Sequence, residues 1–377
     1  MPPKRPSAPN PVEYTYAQPT NSSVSHSIAS PPAISSTTFH IAGILTHVHG
    51  LAELPSSCTE VAVLWLLHPR LQDHRCMAPF AAHIITNYYA HLKTGAGGRG
   101  TGGKETGLIA VSFDQRNHGT RLVDKLANEA WRSGNEHHAQ DMFSCFAGTA
   151  EDTSLLLNYL AAYAFPEGKV RIARNMVMGI SLGGHAAWHL VMRDERFSAA
   201  IVVIGCPDYT RLMVDRARLS KRACWLEGQG KGFLGSKDWP QGLVEAIDRV
   251  DPASYFSKVL GRGAAPGEED WARTMSEEEV RRVRPEMERC FGGKRLLILS
   301  GGADKLVNYK FSEPFLTWLK SATAKGGWFD DGGLHLKDVV AEGYGHEVPP
   351  SMVEEMLPFI NETMDEADGR QRRRSKI

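Results

Sequence analysis

The chain has 377 residues, which is enough to bury a sizeable core in one large domain or in two small ones. Its 43 lysine and arginine residues balance 43 aspartate and glutamate residues, so no field of the whole protein would attract nucleic acid or an anionic membrane. The longest strongly apolar run, residues 61–67, is far too short to cross a bilayer, so no transmembrane segment is predicted.

The first part of the chain is predicted to be a tail outside any domain. Residues 1–36 are rich in proline, serine, asparagine and threonine and contain almost no large aliphatic side chains. Such a segment cannot offset the entropy cost of ordering by burial, so we predict that it is disordered. It also lacks the apolar region of a secretory signal, which argues against secretion.

Strands and helices are then predicted in alternation. The predicted strands are an early strand or hairpin at 39–48, followed by 61–67, 107–113, 170–178, 199–204, 295–299 and 334–341. The predicted helices contain residues 80–92, 155–163 and 184–192, with a last one that opens at the capping-box pair Ser351 and Glu354 and runs towards Ile360. This alternation predicts an α/β fold with a mostly parallel central sheet and helices on both faces.

The most informative motif is Gly179-Ile180-Ser181-Leu182-Gly183, which lies between a predicted strand and a predicted helix. In that context G-x-S-x-G indicates a nucleophile elbow. The turn is so sharp that neighbouring side chains would collide, and the two glycines remove them. It lifts the Ser181 hydroxyl off the sheet and directs the helix N-terminus at any oxyanion that forms there. The alternative is a glycine-rich turn that contains a serine by chance.

Residues 207–293 interrupt the alternation and are predicted to be a helical cap inserted into the core. Asp251-Pro252 is a helix start, Gly261 a stop, and Ser276 with Glu279 a capping box. Since the segment lies between two core strands, we expect it to roof the Ser181 site. The core is then formed by residues 37–206 and 294–365, and residues 366–377 form a basic tail.

A serine hydroxyl needs a base and an acid that orients the base, and both candidates follow in the chain. Asp304 lies in the loop after the predicted strand 295–299, where a carboxylate can face the site. His346 lies between the last strand and the last helix, beside glycines that let the backbone curl. Asp114 and Asp331 are weaker alternatives for the acid.

The oxyanion of an acyl-transfer reaction needs two N–H donors. The backbone amide of Leu182, the residue after the nucleophile, is the first candidate. The second is expected in the loop after strand 61–67. Pro69 has no N–H group there, so Arg70 is the candidate donor.

With these motifs the chain resembles the α/β-hydrolase superfamily over residues 38–365. The elbow, the Asp304 loop and the His346 loop follow the family's serine–acid–histidine order, and Asp114 to Gly119 is similar to its D-x-R-x-x-G turn. Within this superfamily the sequence is similar to esterase-like members and to dienelactone-hydrolase or acyl-peptidase relatives. One departure is His68-Pro69, where the family usually has His-Gly. The resemblance implies a hydrolytic fold and mechanism but leaves the substrate open.

We therefore predict a serine hydrolase that cleaves a small acyl ester or thioester through an acyl-enzyme, with no cofactor and no metal. An acyltransferase or a C–C hydrolase with the same triad is the nearest alternative, and a non-catalytic ligand-binding protein is the alternative from another class. Residues 98–104 match G-x-x-x-x-G-K, but Glu105 replaces the required hydroxyl residue, so we predict a surface connector there.

The location predicted is the cytoplasm or the peroxisome. The six cysteines are scattered without a C-x-x-C pair, which indicates a reducing compartment and no zinc site. The C-terminal residues Ser375-Lys376-Ile377 differ from the peroxisomal S-K-L address by one aliphatic residue.

Overall fold

Eight strands form one sheet at the centre of the computed structural model, which describes residues 32–94, 106–262 and 270–366. The strands are β1 Ser36–Ile41, β2 Ile44–His49, β3 Glu60–Leu67, β4 Gly107–Phe113, β5 Arg171–Ile180, β6 Phe197–Val203, β7 Arg295–Gly301 and β8 His335–Ala341. Their order across the sheet is β1-β2-β4-β3-β5-β6-β7-β8. The β1–β2 and β2–β4 pairs are antiparallel, and the strands from β4 to β8 are parallel. All carboxyl ends of the parallel strands therefore meet at one edge.

Ten α-helices occur in the described ranges. They are α1 Ala78–Lys93, α2 His138–Ala164, α3 Leu182–Arg193, α4 Tyr209–Leu219, α5 Ala223–Leu226, α6 Gln241–Val250, α7 Pro252–Leu260, α8 Glu277–Phe291, α9 Glu313–Thr323 and α10 Pro350–Asp365. The predicted strands and helices are all present, and the early strand or hairpin is the β1–β2 hairpin. None of these helices is long and apolar enough to cross a membrane.

The two faces of the sheet bury separate apolar clusters, because successive side chains of a strand point to opposite sides. In β3, Val63, Trp65 and Leu67 belong to the cluster that includes α2 and α3, whereas Leu64 and Leu66 belong to the cluster that includes α1 and α10. Burial on both faces explains why β3 reads as a continuous apolar run. The sheet is thus a rigid layer on which strand-end residues can be positioned.

Three helix-boundary predictions in the segment between β6 and β7 are confirmed. The Asp251 side chain accepts from the Ser254 N–H at 3.4 Å, and Gly261 ends α7 with a φ of +65°. Ser276 and Glu279 make both bonds of a capping box at the start of α8. The segment contains α4 to α8, of which α6, α7 and α8 contact α3.

The predicted capping box at Ser351 is wrong. Helix α10 begins one residue earlier, at Pro350, and Pro349 occupies the N-cap position with φ −69° and ψ 160° and no side-chain cap bond. Proline is pre-organised for the first helical position, so it sets the boundary and leaves Ser351 inside the helix. Residues 1–31, the glycine-rich 98–104 stretch and the tail from 367, with Ser375-Lys376-Ile377, lie outside the described residues.

Candidate active site

Ser181 lies at the turn between the end of β5 and the first residue of α3. Its backbone has φ +54° and ψ −111°, a conformation that non-glycine residues rarely adopt. The Ser181 N–H donates to the carbonyl of Val203 on β6 at 2.8 Å, which fixes the turn against the sheet. Such strain persists only where the surrounding structure over-determines it, and it is concentrated at functional sites.

The glycines of the elbow are required by two close backbone approaches. A Cβ added at Gly179 would overlap the carbonyl oxygen of Gly183, and a Cβ added at Gly183 would overlap the carbonyl oxygen of Leu67. The same atom would lie 2.9 Å from the carbonyl oxygen of His68. The loop after β3 therefore runs directly against the elbow, which only a residue without a side chain permits.

The structure brings together the three side chains that the sequence singled out. His346 Nε2 is 2.8 Å from Ser181 Oγ, and His346 Nδ1 is 2.7 Å from Asp304 Oδ2. Since a carboxylate only accepts, the network assigns the ring proton to Nδ1 and leaves Nε2 to accept the serine hydroxyl proton. This is the geometry that a base-activated nucleophile needs.

Asp304 is held ionised in a fully buried position. Its Oδ1 accepts from the N–H groups of Leu306 at 2.8 Å and Val307 at 2.9 Å, while Oδ2 faces His346. Burial alone would raise the pKa of this carboxyl, but the charge and hydrogen bond of His346 and the two N–H groups outweigh it, so the pKa lies below its ordinary value. The carboxylate can therefore orient the ring and stabilise its protonated form.

The Asp304 and His346 loops are joined to each other by the backbone. The Ala303 N–H donates to the Tyr344 carbonyl at 2.8 Å, and the Gly302 N–H donates to the Ala341 carbonyl at 2.9 Å. A Cβ at Gly301 would overlap the carbonyl oxygen of Gly345. Asp304 and His346 are consequently carried by one hydrogen-bonded unit at the ends of β7 and β8.

The other acids considered from the sequence make different contacts. Asp114 Oδ1 accepts from the backbone N–H of His74 and lies 2.9 Å from the Nδ1 of the same residue. Asp114 Oδ2 accepts from the N–H and the hydroxyl of Thr120. Although burial opposes ionisation, these bonds lower the pKa of Asp114 far below its ordinary value. Asp331 pairs with Arg284 at the surface. Neither acid is bonded to His346 within the described residues.

The Asp114 turn is built as the resemblance implied. A Cβ at Gly119, which has φ +51°, would overlap the Asp114 carboxylate that binds Thr120. Arg116 forms two bonds to Asp152 on α2, at 3.0 and 2.9 Å. The turn thereby fixes the loop after β4 next to the loop after β3.

The loop after β3 contains Arg70 in a tight turn. The N–H of Gln72 donates to the Pro69 carbonyl at 3.4 Å, and Leu71 has φ +62°. The Arg70 side chain is buried, and its guanidinium donates to the Asn128 carbonyl. On the opposite side, Leu182 is buried at the first position of α3, where backbone N–H groups have no partner within the helix. The assignment of these two backbone N–H groups to an oxyanion hole stays a prediction.

No role was predicted for His68 from the sequence, where it only forms part of a departure from the family pattern, yet its ring links two site loops. Its Nε2 accepts from the Gln115 N–H at 2.9 Å, so the proton is on Nδ1, which lies 2.8 Å from the Pro69 carbonyl. Burial, followed by the neighbouring His118, lowers the pKa of His68 to about 4, and the ring is neutral. The sequence held no signal for this link, because the pairing of β3 with β4 is known only from the structure.

Within the described residues, one group of potential metal ligands stands out. Asp73, His74 and Asp114 place one ligand atom each within 4.8 Å of one another. Asp73 is already paired with Arg75, and both Asp114 oxygens accept hydrogen bonds from the protein. These atoms are thus engaged in fixing the loops after β3 and β4.

A cavity of about 210 Å³ is lined in part by Leu306, the residue whose N–H donates to Asp304 Oδ1. It is bordered by the loop after β3, the 129–133 segment, α4 and the loop after β7, where Lys305 and Leu306 directly follow Asp304. Of the helices between β6 and β7, α4 is the one that lines it. The strand ends are where ligands bind in open α/β sheets.

The sheet order, the strained serine after β5 and the following helix define an α/β-hydrolase fold, and the predicted fold class is confirmed. TT1662 from Thermus thermophilus is similar, with a TM-score of 0.50 and 16% identity over 89% of this chain and 100% of that chain. Acylaminoacyl peptidase from Pyrococcus horikoshii is similar with a TM-score of 0.45 and 12% identity, over 90% of this chain and 43% of that chain. The α/β hydrolase GrgF from Penicillium sp. is similar with a TM-score of 0.42 and 14% identity, over 88% of this chain and 99% of that chain. No protein-family model and no curated protein matches the sequence.

Proposed function

We propose that the chain is a serine hydrolase of carboxylic esters or thioesters. The observation that carries this proposal is the position of the His346 ring, 2.8 Å from Ser181 Oγ and 2.7 Å from the buried Asp304 carboxylate. Serine is a weak nucleophile without such a base, and the His346 ring faces both a serine hydroxyl and a buried carboxylate.

The reaction is proposed to proceed through an acyl-enzyme. Ser181 Oγ bonds to the substrate carbonyl carbon while His346 Nε2 takes the hydroxyl proton. The tetrahedral intermediate then collapses, the bond to the alkoxide or thiolate breaks, and His346 returns the proton to the leaving group. Water repeats the sequence, with His346 as base, and releases the acid and Ser181. Asp304 keeps the ring oriented and stabilises its charged form throughout.

Two backbone N–H groups, of Leu182 and Arg70, are proposed to bind the oxyanion. The support is that Leu182 opens α3 directly after the nucleophile and that the loop of Arg70 runs against Gly183. Preorganised donors of this kind contribute about 3–4 kcal/mol each to transition-state stabilisation. No cofactor or metal ion takes part in the mechanism proposed.

Residues 207–293 are proposed to act as a cap. The support comes from α4, which lines the cavity next to the triad. The later helices α6 to α8 pack on α3, so selectivity is proposed to reside in α4 and the residues that follow it.

Labelling with a fluorophosphonate tests the proposal. We expect one labelled peptide, containing Ser181, in the wild type and none in Ser181→Ala. As a matched control, Ser198→Ala alters a half-buried serine on β6 and should leave labelling unchanged. The same two variants are then assayed on 4-nitrophenyl hexanoate and on the corresponding 4-nitroanilide. Labelling that persists in Ser181→Ala would contradict the nucleophile, and turnover of the anilide alone would contradict the ester assignment.

A further inference from the structure

The cavity beside the triad has the size and position of a substrate site. Its 210 Å³ exceeds the roughly 150 Å³ of an engineered protein cavity that binds benzene, so a six-carbon chain fits inside. Two of its borders, Arg70 with Leu71 and Lys305 with Leu306, follow β3 and β7 at the carboxyl edge of the sheet. Ser181 follows β5 at that same edge. The cavity wall is joined to the triad through Leu306, whose N–H donates to Asp304 Oδ1 at 2.8 Å.

Most of the cavity wall is apolar. Trp131, Leu212 and Leu306 are buried side chains on three different elements, and Phe311 closes the wall near Leu306. Such a surface gains free energy by excluding water, at about 25 cal/mol for each Å² of apolar area removed from solvent. The wall thus favours the hydrocarbon part of a ligand.

Charged side chains lie around this apolar wall, and the basic ones outnumber the acidic ones. Arginines or lysines stand at four lining positions, and carboxylates stand at two. One of the two carboxylates, Asp215, is already paired with Arg218 at 2.6 Å. His138 also lines the cavity, but burial holds its pKa well below the ordinary value, so it adds no charge.

Two of the lining cations are exposed to solvent. Arg132 and Lys305 are exposed and line the cavity from two separate segments, the 131–133 turn and the loop after β7. Neither forms an ion pair with any residue in the described part of the chain. The guanidinium of Arg216, deeper in the wall, donates to the Leu306 carbonyl at 3.2 Å and adds to the positive field.

We propose that this cavity binds the apolar part of the substrate and that Arg132 and Lys305 select esters or thioesters with an anionic substituent. The inference rests on the proposed function and specifies its substrate class. The substituent is a carboxylate on the acyl chain or a phosphate on the leaving group, both of which two cations at an apolar opening would attract.

Two matched substrate pairs test the charge. Mono-4-nitrophenyl adipate and 4-nitrophenyl hexanoate differ by a terminal carboxylate in place of a methyl group. Hexanoyl-coenzyme A and the hexanoyl thioester of N-acetylcysteamine differ in the phosphates of the leaving group. Two partly solvated charge contacts predict an approximately tenfold higher kcat/KM for the anionic member of one pair at low salt. The preference should shrink at 0.5 M salt because the charges are screened, whereas a nearly neutral site would not respond.

Variants connect the preference to the two cations. In Arg132→Met/Lys305→Met the anionic substrate should lose about tenfold, and the neutral one should stay within about twofold. Lys305→Arg alone should keep the preference. The control Lys169→Met/Arg281→Met removes the same net charge from surface positions that are 80% and 73% exposed. It should leave the preference unchanged.

Equal rates within each pair, or a preference that survives in the double variant, would overturn the inference while leaving the proposed function intact. If no substrate is hydrolysed, the proposed function fails, and binding tests the inference separately. Calorimetric titration of Ser181→Ala then compares monomethyl adipate with methyl hexanoate, and coenzyme A with N-acetylcysteamine. Tighter binding of an anionic member supports the selectivity, and equal binding in both pairs refutes it.

Discussion

Replacing Asp304 by asparagine is expected to abolish most activity while preserving the shape of the site. The carboxylate is fully buried, with Oδ1 on two backbone N–H groups and Oδ2 on His346. Because Oδ1 stays an acceptor for those N–H groups, the amide nitrogen must take the position of Oδ2. A donor would then face His346 Nδ1, which favours the tautomer with its proton on Nε2. That tautomer cannot accept the Ser181 proton.

The expected loss follows from this tautomer change. In another serine hydrolase the same acid-to-amide change lowers kcat by about 10⁴, which equals roughly 5.4 kcal/mol of transition-state stabilisation at 1.36 kcal/mol per tenfold. We expect a loss of that order in kcat/KM for 4-nitrophenyl hexanoate at pH 7.5. The thermal midpoint should change far less than in a core truncation.

The control is Asp338→Asn on β8. Its carboxylate is also buried, but it binds Tyr309 at 2.7 Å and Lys320 at 2.5 Å instead of a histidine. We expect this variant to keep activity within about threefold, since it leaves the tautomer of His346 alone. A folded Asp304→Asn protein with activity within tenfold of the wild type would refute the role of Asp304 in orienting the base.

Three more predictions follow from other contacts. Gly183→Ala should lower the free energy of unfolding in urea by about 1–3 kcal/mol and remove most of the activity, because its Cβ would overlap the Leu67 carbonyl. The control Gly242→Ala, whose Cβ meets nothing within 4 Å, should leave stability unchanged or raise it. His68→Phe should cost about 1–3 kcal/mol in urea unfolding and lower kcat, since the buried Gln115 N–H loses its acceptor; unchanged unfolding would contradict the link between the loops. The pKa of Asp304 is lower in the folded protein than in the unfolded chain, where it is near 4. Its charge therefore stabilises the fold fully above the unfolded pKa, and this stabilisation is lost as the pH falls through the lower folded pKa. The difference in unfolding free energy between the wild type and Asp304→Asn should thus become smaller from pH 6 to pH 2.5. A difference that stays constant over this range would contradict the lowered pKa of Asp304.

The sequence was sufficient for the strands and for the three central side chains, because both depend on short patterns. The elbow is five residues long, and the loops of Asp304 and His346 directly follow buried strands whose ends must lie at one edge. Helix α2 was only partly predicted, as residues 155–163 of His138–Ala164. Its first half contains small residues such as Gly148, where a Cβ would overlap Arg116. The same half nevertheless has a buried apolar face at helical spacing, so the sequence held a signal for it that was not used; its residues are Ala139, Met142, Phe143, Phe146 and Ala150.

Contacts between distant segments were not predictable, since no local pattern encodes them. The cavity takes its wall from Arg70, Trp131, Leu212 and Leu306, which are far apart in the chain. The link between His68 and Gln115 depends on the tautomer of a buried ring. The error at Ser351 has a local cause, because a capping-box pattern requires an extended residue at the N-cap, and Pro349 holds that place.

The joined loops of Asp304 and His346 have a consequence for synthesis on the ribosome. Strands β5 to β8 lie in the sheet in the order in which they are translated, so each new strand is added at the same growing edge. The proposed nucleophile, Ser181, is therefore translated before its proposed acid and base, which follow β7 and β8. A chain cut between residues 184 and 346 contains the Ser181 turn but lacks His346, so we expect such a product of interrupted translation to be catalytically silent.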